Sequence, residues 1–262
     1  MHHPTALIHQ GAHIGSDVSI GPFAIIEDGV VIGDRCSIAA HAQILSGVIM
    51  GSDNHVDRAA ILGGNPQSLS FDTRTPSGVR IGDHNTFREH VTVHRSMHEA
   101  GHTSIGNANF LMATSHVGHD CTIGNRIVIA NAALVAGHVD IDDHCFLGGG
   151  SAFHQFIRIG TYAMVQGNGS FSCDIPPFCT AFRENAVAGL NVVGLRRGGF
   201  DSAARADIKR AYSSVFHSPA GPVKAATSAL EDASWSPPAR HFLSFIAHPG
   251  SKGVARPRDQ RG

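Results

Sequence analysis

No run of apolar residues in this chain approaches the ~20 needed to cross a bilayer as a helix, which excludes a membrane-spanning segment of that kind. Net charge is nearly absent as well. The formal value is −1 at pH 7, so overall electrostatics favour neither nucleic acid nor an anionic membrane surface. The five cysteines (Cys36, Cys121, Cys145, Cys173, Cys179) form no CxxC pair. An odd, unpatterned set predicts reduced thiols and a cytoplasmic protein rather than a disulfide scaffold. The opening Met1-His2-His3-Pro4 lacks a charged segment leading into an apolar one, so no signal peptide is expected.

What is present is a beat of six. From Ile105 the series Leu111, Val117, Ile123, Ile129, Val135, Ile141, Leu147, Phe153, Ile159, Val165, Phe171 never misses. It also opens the chain at Ile8, Ile14, Ile20, Ile26, Ile32, Ile38 and Ile44, and returns at Ile81, Phe87 and Val93. A period of six suits neither an α-helix nor a flat strand; it is the mark of a parallel β-helix. Three hexads per turn make a triangular prism with ~18 residues per coil. The 30 glycines suit its tight corners. The phase is expected to slip near Val56 and Ile61. Insertions at 63–79 and 94–104 interrupt the beat and predict loops at one edge. Pro176-Pro177 is expected to end strand pairing. Asp201 is a candidate N-cap for a helix over 201–218, and two further helices are expected at 222–233 and 238–247, separated by Pro237-Pro238. The fold expected is therefore all-β, a β-helix over 1–194, with a small α-helical domain over 195–262 whose basic end, from Lys252, frays. Flat faces and open ends suit a closed ring of three prisms.

The 18-residue coil stacks residues that are far apart in sequence, about 4.8 Å between coils. His119 lies under Gly137, and Gly137 under Gln155, while Asp120 lies beside His138. Three segments, His116–Asp120, Ala136-Gly137-His138 and His154-Gln155, so form one polar patch. Taken singly, each of the 19 histidines fits an ordinary surface corner. Taken together, the patch suits acyl transfer. A histidine accepts a proton near neutral pH, a carboxylate orients its ring, and a glycine lets a backbone N–H approach an oxyanion. A zinc hydratase is the alternative, since three histidines in a cleft could hold an open tetrahedral ion, with His84, His90, His94, His98 and His102 also nearby in sequence. No local spacing matches a zinc signature, and Asp120 directly after His119 favours a base, so no metal is expected.

His116-Val117-Gly118-His119-Asp120-Cys121, Ala136-Gly137-His138-Val139, His154-Gln155-Phe156 and Asn191-Val192-Val193-Gly194-Leu195-Arg196-Arg197 together resemble the UDP-N-acetylglucosamine O-acyltransferase family, over about residues 5–216. That family takes the first step of lipid A biosynthesis. The resemblance implies a homotrimer of left-handed β-helices with active sites between subunits, acyl carrier protein as the donor's carrier, and no cofactor. It implies His119 as general base, Asp120 as its support and Gly137 as oxyanion donor. By the same resemblance His116, His138, His154 and Gln155 bind substrate or acyl chain, Asn191 and Arg197 contact the nucleotide, and Gly167 sets acyl-chain length. The related N-acyltransferases carry a separate N-terminal domain, for which hexads beginning near residue 8 leave no room. Two departures stand out. Ser68 and Ser70 replace an acidic residue and a lysine of the family's first loop, with Arg74 or Arg80 as candidate substitutes. A 3-amino sugar acceptor or another hexapeptide acyltransferase activity therefore remains open. On the helix over 201–218, Arg205, Lys209 and Arg210 are expected to meet the acidic carrier protein.

Overall fold

The computed structural model describes residues 1–257. Short strands stack into three faces of a prism, each face a sheet of one strand per coil. Face I starts at Leu7–Ile8 and runs to Ser170–Phe171; face II runs from His13–Ile14 to Arg158–Ile159; face III starts at Ser19–Ile20. Pairing from coil to coil is parallel on all three, and residues such as Thr122, Asp140 and Arg158 lie in register one coil apart. Most strands have two residues. The first points out and the second is the hexad anchor, buried against the anchors of the other two faces. Ile20, Ile44, Leu111, Ile129, Val135 and Leu147 are at most 2% exposed. Burying one such side chain contributes about 1.5–3 kcal/mol, which is why a two-residue strand suffices when it is repeated coil after coil.

The beat does not slip where expected. Met50, Val56 and Leu62 continue the series and are buried, while Ile61 beside Leu62 is its outward neighbour. The glycines have a different task from the expected one. Most corners place a non-glycine residue at positive φ, for example Asp120 at 60° and Asn168 at 58°. Glycines such as Gly33 are needed where coils touch: a Cβ on Gly33 would lie 2.5 Å from the carbonyl carbon of Gly51.

Both insertions leave from the corner between faces I and II, on successive coils. Strands reach into the expected loop limits, at Ile61–Gly64 and Gly78–Ile81 for the first and at Thr92–His94 and His102–Ile105 for the second. Arg95, only 9% exposed, binds the two loops together. It donates to Asn65 Oδ1 (2.9 Å), Thr73 O (2.7 Å) and Thr75 O, and lies 4.9 Å over the Phe71 ring.

Pro176-Pro177 does not end the pairing. Cys179–Phe182 extends face III in parallel, Ala186–Leu190 joins it antiparallel, and Arg256–Pro257 adds a last short strand. The segment 254–257, expected to fray, is thus paired; residues 258–262 of that expected tail lie outside the described residues. Among the described residues, four helices follow the prism: α1 (Val192–Arg197), α2 (Ser202–Phe216), α3 (Pro222–Ala229) and α4 (Pro237–Ala247). The expected domain limit at 194 falls inside α1. Asp201 caps α2 by accepting from Ala204 N–H. Pro237 and Pro238 open α4 rather than separate it from α3, since a first-turn proline has no N–H to leave unpaired. The helices share a second apolar core, with Phe242, Leu243, Ile246 and Ile208 buried against Phe178 and Val187 at the end of the prism.

Candidate active site

At the corner between faces I and II, three successive coils carry His119-Asp120, Gly137-His138 and Gln155-Phe156. Asp120, His138 and Phe156 all have positive φ (60°, 59° and 66°). This left-handed turn is held by Asp120 N–H donating to Thr103 Oγ1 (2.8 Å) and His138 N–H donating to His119 O (2.9 Å). His119 is 8% exposed, and its Nδ1 lies 2.8 Å from Asp120 Oδ2. With Nδ1–H donating to the carboxylate, Nε2 is free to accept a proton. The ring lies across Gly137, so closely that a Cβ there would sit 2.5 Å from Nε2. Among the described residues, the Gly137 N–H donates to no protein acceptor.

Asp120 is itself positioned. Burial works against its ionisation, but hydrogen bonds from Ser96 Oγ, Met97 N–H (3.1 Å) and His119, with the charge of His138, outweigh it and hold the carboxyl below the usual range. His138 meets His119 edge-on at 5.0 Å and stacks on Phe156 at 4.5 Å. Below them, His116 Nδ1 hydrogen-bonds Thr92 Oγ1 (2.8 Å), and His94 packs edge-on against His116 at 4.6 Å. Burial, followed by the neighbouring His116 and His119, pushes His94 down to about 4. Burial and His119 lower His116 as well. Both rings are therefore neutral donors and acceptors at neutral pH.

A cleft of about 680 Å³ over face I collects Gln67, His94, His116, His119, Gly137, His154 and Gln155. The stacked patch expected from the coil length is thus brought together, with His138 behind it. His154 is exposed, its Nδ1–H donating to Gln155 O (3.1 Å). Asn191 and Arg197 lie elsewhere, in a cleft of about 940 Å³ on face III with Tyr162, Met164 and Val193. Asn191 caps α1 through Gly194 N–H (2.9 Å) and donates to Tyr162 O (3.0 Å). Gly167 sits at the corner between faces III and I and lines neither cleft; a Cβ there would meet Gly149 O at 3.1 Å. Of the candidate substitutes in the first loop, Arg74 pairs with Asp72 (2.9 Å) at the surface and Arg80 points out from face II. Gln67 is the loop residue that reaches the His119 cleft.

Sequence reasoning named His94 only among candidate zinc ligands and missed Ser96, Met97 and Thr103. They belong to the coil below His116, where the second insertion makes the offset 24 residues (Thr92 to His116) instead of 18. The anchors Val93 and Val117 carry that offset and could have revealed it. Among the described residues of one chain, no three-histidine set converges around His116 and His119; the hydratase alternative placed such a set at a cleft between subunits. The donors that converge are those of His98, Asp120 and His138, all within 4.8 Å of one another.

Comparison with known proteins finds relatives along almost the whole chain. A model of bacterial hexapeptide transferase repeats matches residues 11–46 and 102–137, and a model described as UDP-N-acetylglucosamine O-acyltransferase, domain 2, matches residues 174–255. An acyl-[acyl-carrier-protein]–UDP-N-acetylglucosamine O-acyltransferase of Janthinobacterium sp. is 47% identical over 92% of both chains. One from Anaeromyxobacter dehalogenans is 43% identical over 97% of this chain and 99% of its own. The structure of the UDP-N-acetylglucosamine acyltransferase from Campylobacter jejuni superposes with a TM-score of 0.93 at 35% identity, covering 98% of this chain and all of the other. That of Francisella novicida gives 0.94 at 32%, covering 99% and 95%. With relatives this similar along almost its whole length, the chain belongs to the UDP-N-acetylglucosamine O-acyltransferase family.

Proposed function

We propose that this protein transfers a 3-hydroxyacyl chain from acyl carrier protein to the 3-position of UDP-N-acetylglucosamine, the first step of lipid A biosynthesis. The observation that carries the chemistry is the His119–Asp120 pair lying across Gly137 in an open cleft; the relatives' activity supplies the substrates. His119 Nε2 takes the proton of the sugar 3-hydroxyl as its oxygen attacks the thioester carbonyl. The imidazolium is stabilised by Asp120. The carbonyl oxygen gains the charge and is met by the Gly137 N–H. Collapse of the tetrahedral intermediate expels the carrier thiolate, which recovers the proton from His119. The residues of this chain supply every proton transfer, so the reaction needs no cofactor.

His116, His138, His154 and Gln155 bind sugar and acyl chain around that centre. Asn191 and Arg197 grip the nucleotide, the guanidinium suiting its phosphates. Because their cleft is on face III and the His119 cleft on face I, one chain cannot use both on one substrate. Three left-handed prisms in a head-to-tail ring would bring face III of one against face I of the next and make one site of the two. Exposed Leu134 on face I and exposed Phe146 on face III are the apolar surface such a contact would cover. Gly167, at the far edge of face I, leaves the acyl groove open for a medium-to-long chain. Residues 1–194 carry the transfer chemistry and the helical domain meets the carrier. Arg205 and Arg210 are partly engaged, by Phe200 O and Asp207, which leaves Lys209 as the freest of the three expected contacts. Such an enzyme works in the cytoplasm, where its substrates are made.

The test is a competition among acyl carriers of graded chain length with UDP-N-acetylglucosamine and its 3-amino analogue, with and without chelator. An O-acylated product formed at full rate in chelator is expected. An amide product in preference would assign the 3-amino acceptor; activity abolished by chelator and restored by zinc would assign the hydratase.

A further inference from the structure

We propose that His98, Asp120 and His138 form a binding site for a divalent transition metal of the zinc class, and that its occupation inactivates the enzyme by taking Asp120 away from His119. Two imidazoles and a carboxylate are a zinc-type donor set that leaves a fourth position open. The three donors lie within 4.8 Å of one another. Two of them are fixed. His138 is stacked flat on Phe156, its plane within 11° of the other ring, and its Nε2 is 3.9 Å from Asp120 Oδ2. Asp120 is held by Ser96 Oγ, Met97 N–H and Thr103 Oγ1. His98 is the adjustable member. Its side chain is exposed on the second insertion, and its backbone N–H donates to Ser96 Oγ (2.9 Å), the hydroxyl that also holds Asp120. Its ring lies 5.9 Å from that of His138. Bonds of ~2.0–2.1 Å from a tetrahedral ion require donors about 3.4 Å apart. Rotation of the exposed His98 ring brings in the third donor, and the His138–Asp120 pair, at 3.9 Å, has to close by about half an ångström.

The inhibitory effect follows from which oxygen is available. Oδ1 of Asp120 accepts from Ser96, whereas Oδ2 accepts from both Met97 N–H and His119 Nδ1–H and is the oxygen nearest His138 Nε2, so an ion there must displace a donor. An ion held by His138 and His98 takes that same Oδ2. His119 then loses the partner that orients its ring and stabilises its protonated form. Metal binding and proton abstraction by His119 therefore exclude one another. His98 does not line the His119 cleft, and no role in the transfer is assigned to it.

The activity arm of the test rests on the acyltransferase reading; the binding arm does not. Metal-stripped full-length protein and the His98→Gln variant are titrated with zinc by calorimetry, and both are assayed for acyl transfer across the same zinc series. Wild type is expected to bind one zinc per chain and to lose activity in parallel, with chelator restoring it. His98→Gln keeps the zinc-free rate and needs at least about tenfold more zinc for both binding and inhibition. Equal affinity and equal inhibition in the two proteins would overturn the proposal, as would zinc raising the rate. Tight zinc binding that depends on His98, in a protein with no transfer activity under any condition, would keep the site and discard the acyltransferase reading. Zinc-free transfer with no His98-dependent binding would do the reverse.

Discussion

The proposed role of His119 as a base rests on what its neighbours do to each of its nitrogens. Asp120 fixes one, and Gly137 leaves room for the other. His119→Ala is expected to lower the transfer rate on the order of 10²-fold or more without changing the melting temperature. Near-normal turnover would remove it as the base. Gly137→Ala is the sharper probe, because the added methyl cannot coexist with the ring at 2.5 Å. The ring must swing off Asp120, and the rate should fall by a similar factor although no titrating group is lost. A crystal structure with His119 undisplaced and full activity would contradict this. His94 makes a pH prediction. Its folded value is about 4 against an ordinary 6.5. Above pH 6.5 both folded and unfolded chains hold it neutral. As pH falls the unfolded chain takes the proton first, so stability is lost between pH 6.5 and about 4, and this group costs nothing further below that. The loss is on the order of 3 kcal/mol. Urea midpoints of His94→Gln should depend less on pH across that window than those of wild type.

Among the elements, the two insertions matter more for the site than any strand, since both project from the corner that carries His119. They are made rigid by Arg95, which donates to the first loop from the base of the second. Arg95→Ala leaves the acceptors Asn65 Oδ1, Thr73 O and Thr75 O without that donor and removes the contact with Phe71. A loss of about 2 kcal/mol is expected. Trypsin should cut faster after the exposed Arg74 in the first loop, and KM for the sugar nucleotide should rise more than kcat falls, because Gln67 of that loop lines the cleft. Unchanged proteolysis would show that the loop is held by its other contacts.

At the scale of the whole molecule, the ring proposed to unite the two clefts would make oligomerisation a condition of activity. Leu134→Arg, placing a charge on face I, is expected to yield monomers by light scattering and no measurable turnover. An active monomer would exclude the shared site. Mixing tests the sharing directly. His119→Ala and Arg197→Ala are each expected to be inactive. Unfolded together in equal amounts and refolded, they should regain about a quarter of wild-type activity, the fraction of head-to-tail contacts that unite two intact halves. No recovery would mean that both residues serve the same half.

The repeat was legible because burial acts on every sixth residue, and neither the lone displaced Ile61 nor the prolines at 176–177 could hide a period repeated over so many coils. The His119, Gly137 and Gln155 column was legible for the same reason: within an unbroken run of hexads, the coil length alone says which residues lie on top of one another. What the sequence could not supply was anything across an insertion. Six extra residues between Val93 and Val117 shift the ruler from 18 to 24, and with it went Ser96 and Met97, which hold Asp120, and the place of His94 under His116. Local signals for helices misplaced the prolines of α4 because the same residue opens one helix as readily as it closes another, and only packing against Phe178 and Val187 decides which. Which face each patch occupies was likewise a tertiary matter. His119 and Arg197 appear in one family pattern along the chain, yet the prism turns them to different sides, because each coil must close three faces around a buried core before any side chain can meet a substrate.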